Sequence, residues 1–272
     1  MIGTGEWALL AAGALATGLV GGTISGLLGV GGGIVIVPVL EATLGYLGVD
    51  PAVRMPIAVA TSLATIVPTS IASSRAHHRR GAVDLGLVKR WTPAIALGAV
   101  LGSLAGSHVE ARVLTGVFGV VAALMALKML LPLDGRILAT TVPRGPAGQI
   151  VPLTIGVVSS MMGIGGGTLS VPALTLMNQP VHRAVGTANL LGLAIAIPGT
   201  LGYLFARPVA AVPPATIGYV SLLSLLLLAP ATVFAAPWGA RLAHRLNKRK
   251  LSVAFGLFLT LVAARMLLRT MS

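Results

Sequence analysis

Cysteine is absent from the 272-residue chain, and only six residues are acidic. The first absence excludes disulfides, thiolate metal sites and thiol redox chemistry, and it leaves the compartment open. The second argues against a cation site built from several carboxylates. Glu6, Asp50, Asp84, Glu110 and Asp134 all fall at segment ends or in loops. Charge of either sign is scarce, at 9% of residues against about 25% in soluble domains. What fills the chain is apolar: 56% of residues are hydrophobic and the mean hydropathy is +0.95. The apolar runs are too many for a signal peptide or a single anchor, so the chain reads as a polytopic protein of the lipid bilayer. Its start, MIGTGEW, lacks a positive region and predicts no cleaved signal.

The few charges are mostly basic, giving a net charge of +13. Five Lys or Arg residues lie between Arg75 and Arg90, and five between Arg241 and Lys250. That clustering marks cytoplasmic loops rather than a nucleic-acid partner. His77 and His78 sit in the first basic cluster without acidic partners, so no metal is expected. No enzyme or cofactor is expected either. No Gly-Lys-Ser/Thr follows the glycine runs described below, and neither an HExxH motif nor a Ser/His/Asp set is apparent.

Apolar segments run approximately over 7–28, 34–47, 55–73, 92–108, 112–131, 148–162, 168–178, 185–205, 215–236 and 251–268. A span needs about 20 apolar residues, so 34–47 and 168–178 read as broken or re-entrant helices. Each follows a glycine run. The first run is Gly29-Val30-Gly31-Gly32-Gly33, continued to Val37-Pro38; the second is Gly163-Ile164-Gly165-Gly166-Gly167, continued to Val171-Pro172. Glycine costs about 1 kcal/mol in a helix relative to Ala, so these runs break it.

The duplication extends further. Pro51-Ala52-Val53-Arg54 resembles Pro180-Val181-His182-Arg183, and Ala58-Val59-Ala60-Thr61 resembles Ala184-Val185-Gly186-Thr187. Phe118-Gly119 with Lys128-Met129-Leu130-Leu131 matches Phe255-Gly256 with Arg265-Met266-Leu267-Leu268. The fold class predicted is therefore an all-α polytopic membrane protein of two five-segment repeats, 1–131 and 148–272, joined by a cytoplasmic linker, 132–147. An odd number of segments inverts the second repeat, and the charges agree. The third-to-fourth loop is basic in the first half, whereas the fourth-to-fifth loop is basic in the second. This places both termini outside an inner (cell) membrane. Two glycine breaks at matched positions are a pointer to a transporter's binding site.

These residues resemble the sulfite exporter TauE/SafE family. The resemblance rests on the GxGGGxxxVPxL motifs, Gly29 to Leu40 and Gly163 to Leu174, and on the Ala-Val-x-Thr stretches. It covers nearly the whole chain. It implies a transporter of sulfur-containing anions such as sulfite, thiosulfate or organosulfonates. One departure is Thr187-Ala188-Asn189, which stands where the first half has Thr61-Ser62.

Helix N-termini carry about +0.5 charge and bind anions, so the breaks could hold an oxyanion without a charged side chain. The candidate substrate site is thus Gly31, Gly32, Gly33, Gly165, Gly166 and Gly167. Polar groups that could complete it are Ser25, Thr61, Ser62, Thr65, Ser159, Thr168, Thr187 and Asn189. Close helix crossing at small residues is the competing reading of the glycines. Arg54 and Arg183 suit sulfonate oxygens, as entrance residues on opposite sides, or else anchor at the interface. Lys128 and Arg265 read as interfacial anchors. Glu41, within an apolar stretch, is a proton-coupling candidate unless it lies near the surface. An anion channel, or an accessory subunit docking a soluble partner through its basic loops, remain alternatives. A homo-oligomer is compatible with the sequence, which does not determine it.

Overall fold

The computed structural model describes residues 13–24, 32–131, 142, 145–243 and 248–271. Ser25, Gly31, most of the 132–147 linker and part of the second basic loop lie outside the described residues.

Among those described, ten α-helices follow one another. They are α1 (Gly13–Ile24), α2 (Gly33–Tyr46), α3 (Pro51–Arg79), α4 (Leu85–His108) and α5 (Ala111–Leu130). Then come α6 (Ile150–Met162), α7 (Gly166–Leu176), α8 (Val181–Phe205), α9 (Leu222–Ala243) and α10 (Lys248–Met271). Five of them, α3, α5, α8, α9 and α10, contain stretches long and apolar enough to cross a membrane. The predicted all-α polytopic class is the observed one. Leu97, Leu101, Leu124, Leu226, Phe234 and Leu261 are exposed on the outer helices. Water would disfavour such a surface, and lipid accommodates it.

Two of the helices that begin earlier than hydropathy predicts are opened by an Asp cap and carry charge, Arg54 in α3 and Lys89 and Arg90 in α4, ahead of their apolar stretch. Asp50 accepts the Ala52 N–H at 2.8 Å, with Pro51 opening α3 where its missing N–H costs nothing. Asp84 accepts the Leu87 N–H at 2.9 Å and opens α4 seven residues before the expected 92. The segment expected from 215 instead starts with a two-residue-strand hairpin, β1 (Thr216–Ile217) and β2 (Val220–Ser221), and α9 begins at Leu222. Gly218 turns that hairpin at φ +55°, pressed against the Leu204 carbonyl, where a side chain would not fit.

The centre of the molecule is α3, which packs on α2, α5, α8 and α9. Small residues set the closest crossings. Gly98 and Gly102 of α4 face Leu153, Val157 and Ser160 of α6, and Gly156 faces Ile95 in return. A Cβ at any of the three would lie closer than 3.0 Å to the facing helix.

The contacts between halves come in reciprocal pairs. On α5 and α10, Gly119 receives Leu267 and Gly256 receives Leu130, the residues the repeat aligns. Arg112, in the first turn of α5, donates to the Thr270 carbonyl at the end of α10. Arg249, in the first turn of α10, donates to the Leu130 carbonyl at the end of α5 at 2.7 Å. Guanidinium groups there satisfy carbonyls that a helix end leaves unpaired. The Thr61 hydroxyl accepts the Ser221 N–H just before α9, and the Thr187 hydroxyl accepts the Asp84 N–H just before α4, each at 3.0 Å.

Candidate functional site

The two glycine runs touch. A Cβ on Gly33 would collide with the Gly163 carbonyl and approach the Ser62 hydroxyl to 2.9 Å. Ser62, on α3, donates to that same Gly163 carbonyl at 2.6 Å. Gly163 ends α6 in the left-handed conformation, φ +67°, against the backbone of Val59. Gly166 starts α7 against the Ala188 carbonyl and Gly192 N of α8. Gly32, Gly33, Gly165, Gly166 and Gly167 are all buried. Neither α2 nor α7 has a side-chain cap at its start. Their first-turn N–H groups thus lack the partner that Ser, Thr or Asp supplies in most helices.

The polar residues expected around the runs divide by partner. Ser62 bridges α3 to the second run. Thr61 and Thr187 hold the helix starts described above. Thr65 bonds back to the Thr61 carbonyl of its own helix at 2.9 Å, and Asn189 to that of Val185 at 2.9 Å. Ser159 is fully buried; its carbonyl accepts the Ile164 N–H at 3.0 Å, while its hydroxyl has no partner among the described residues. The Ser170 hydroxyl of α7 is in the same condition. A buried hydroxyl left without a partner costs about 1–3 kcal/mol.

The arginines separate. Arg183 is exposed in the first turn of α8. Arg54 lines a cavity of about 710 Å³ at the start of α3, together with Glu41, His108, Glu110, Arg112 and Arg269. Its Nε donates to the Val49 carbonyl. The cavity floor includes Pro56; at about 1.5 Å per residue, Ser62 lies roughly 9 Å further along α3.

Glu41 is 5% exposed and bonds to Arg269, with Arg265 3.6 Å from its second carboxylate oxygen. Arg265, expected as a lone interfacial anchor, is thus an ion-pair partner of α2. Arg112 and Arg269 were not singled out by sequence reading. The signal for Arg112 was available, because the separation that aligns Phe118 with Phe255 also aligns Arg112 with Arg249. Among the described residues no group of three or more His, Asp or Glu is placed to hold a metal ion.

The chain has relatives of similar length. A Haemophilus influenzae protein described as a probable membrane transporter protein is 31% identical over 259 residues, covering 94% of this chain and 97% of the relative. The probable membrane transporter protein YunE of Bacillus subtilis is 25% identical over 277 residues, covering 92% and 94%. A probable membrane transporter protein of Xylella fastidiosa strain Temecula1 is 33% identical over 197 residues, covering 68% and 70%. No solved structure matches the chain. The family described as sulfite exporter TauE/SafE matches residues 14–266, nearly the whole length, and the chain belongs to it.

Proposed function

We propose that this membrane protein is a secondary transporter of small anions, sulfur oxyanions or organosulfonates first among them, working by alternating access around the junction of its glycine runs. The observation that carries the reading is the contact of Gly33 with Gly163. Helices α2, α6 and α7 hold 14, 13 and 11 residues. At about 1.5 Å per residue each is shorter than 22 Å, against a hydrocarbon core of ~30 Å. Were the flanking helices of each run full spans, inverted repeats would put the runs at opposite faces. Their contact supports half-depth hairpins whose tips meet near the midplane.

The reciprocal contacts between halves support a two-fold relation, and the charge reversal of the loops supports its inversion across the membrane. Uncapped helix starts from each half then bring partial positive charge to one place. Ser62, Ser159 and Asn189 lie in the same packed region as hydrogen-bonding groups, and Arg54 stands on the approach. The buried glycines correspond to a closed arrangement, which rocking of one repeat against the other would open. Sulfur as the central atom rests on the family description alone.

The test is uptake into proteoliposomes of the full chain. Sulfite, thiosulfate or a simple sulfonate should enter faster than into empty vesicles and should saturate. Flux that never saturates would favour a channel. No excess flux for any of them would overturn the reading.

A further inference from the structure

The cavity at the start of α3 is walled by cations from three helices. Arg54 comes from α3, Arg112 from the first turn of α5, and Arg269 from the end of α10, with His108 closing α4 beside them. Only Glu41 and Glu110 oppose them in the lining. Arg54 and Arg112 each donate through Nε, to the carbonyls of Val49 and Thr270. Each guanidinium is therefore held to the backbone through one nitrogen. An anchored guanidinium with its donors in a fixed fork suits a planar or pyramidal oxyanion.

Within this basic cavity Glu41 already occupies an anion's place. Its carboxylate is nearly fully buried, bonds to Arg269 and lies within reach of Arg265. One carboxylate oxygen, Oε2, is buried without a hydrogen bond and relies on the longer Arg265 contact. Glu41 belongs to α2, the short helix that starts at the first glycine run. Its pair with Arg269 and Arg265 thus ties that helix to α10 near the cavity, in the half of α2 away from the glycines.

We propose that this cavity is an outer recruiting site for oxyanions and that Glu41 is its built-in competitor. An arriving anion takes the guanidinium contact the carboxylate holds, and α2 is thereby released from α10. The proposal rests on the anion-transport reading and on the sidedness of the loops. It assigns to Glu41 a role that needs no proton. No bond is made or broken beyond the exchange of one carboxylate for another anion at the same donors.

Two substitutions on the same ion pair separate this from a structural clamp. Removing the competitor in Glu41→Gln should strengthen anion binding, whereas removing the shared donor in Arg269→Gln should weaken it. The probe is thiosulfate, titrated against the thermal stability of purified full-length protein and against uptake into proteoliposomes. The half-saturating concentration should fall roughly tenfold in Glu41→Gln and rise roughly tenfold in Arg269→Gln, the scale of one charge-assisted contact. If Glu41→Gln does not fold, Glu41→Asp keeps the charge but shortens the reach, and should shift binding the same way by less. Shifts of the same sign in the two partners, or no shift in either, would overturn the competitor. Opposite shifts in binding with no anion uptake by the unsubstituted protein would sink the transport reading alone. Absence of thiosulfate binding by that protein would sink both.

Discussion

At the scale of single residues, the glycines at the junction serve space as well as helix breakage. A methyl on Gly33 or Gly166 would meet backbone atoms closer than 3.0 Å, and backbone cannot step aside as a flexible side chain can. Gly33→Ala and Gly166→Ala should each lower stability by about 1–3 kcal/mol, the usual cost of overpacking, read as a drop in Tm of the detergent-purified protein. Gly13→Ala, with nothing among the described residues within 4 Å of the added methyl, should be neutral or stabilising. Equal Tm for all three would detach the junction from the fold. The hydroxyls offer a second separation. Thr61→Val and Thr187→Val keep the shape but strand the Ser221 and Asp84 N–H groups. Each should cost about 1–3 kcal/mol while leaving anion affinity of the folded fraction unchanged. A loss of affinity without loss of Tm would return both threonines to the substrate site. Sequence reading singled out both threonines as candidates for the substrate site, because they repeat. It had no access to their partners, which stand on the opposite half of the chain. A membrane Thr that holds the start of a neighbouring helix and one at a ligand look alike until the donor is known.

At the scale of elements, the duplication was the most legible property of the sequence, and the α5–α10 pair shows why. Phe118-Gly119 and Phe255-Gly256 align, and the structure sets each glycine against the other half's aligned leucine, Leu267 or Leu130. Gly256→Val should therefore be destabilising by about 1–3 kcal/mol, and Leu130→Ala in the same chain should recover part of that loss. The mirror pair, Gly119→Val with Leu267→Ala, should behave alike. Additive losses in both double variants, measured by Tm, would mean that the aligned contacts do not set this crossing. Helix ends were less legible than helix centres. Hydropathy sees only the lipid-facing stretch, so the openings capped by Asp50 and Asp84, which hold Arg54 and Lys89 with Arg90, fell outside the expected segments. The hairpin ahead of α9 was missed for the converse reason. Its apolar Ile217, Tyr219 and Val220 read as span, whereas Gly218 at positive φ turns the chain. The crossing of α4 and α6 was visible as Gly98 and Gly102 at four-residue spacing, a stripe that general glycine richness concealed and that Gly106 continues against Tyr203 of α8.

At the scale of the whole molecule, the arrangement of the halves in the membrane makes a sharp demand. If the repeats are inverted with both termini outside, the cavity beside Glu110 and the Val209 loop open to one face. The basic end of α3, at Arg79 and Arg80, then lies on the other. The absence of cysteine makes this directly measurable, since any thiol introduced is the only one in the protein. Glu110→Cys and Val209→Cys, both at loops outside the apolar cores of the helices, should react with a membrane-impermeant maleimide on intact cells. Arg80→Cys should react only after the membrane is opened. That pattern does not test the hairpins, because a half-depth α1–α2 pair and a fully crossing pair deliver α3 to the same side. The discriminating position is therefore at the tip. A thiol at Ser62 should resist the reagent from both sides in the closed state and become reactive from one side when an anion such as thiosulfate drives turnover. Reaction of Ser62→Cys from one side at full speed with no anion present would place the glycine junction at a membrane face, and the half-depth geometry would fall with it.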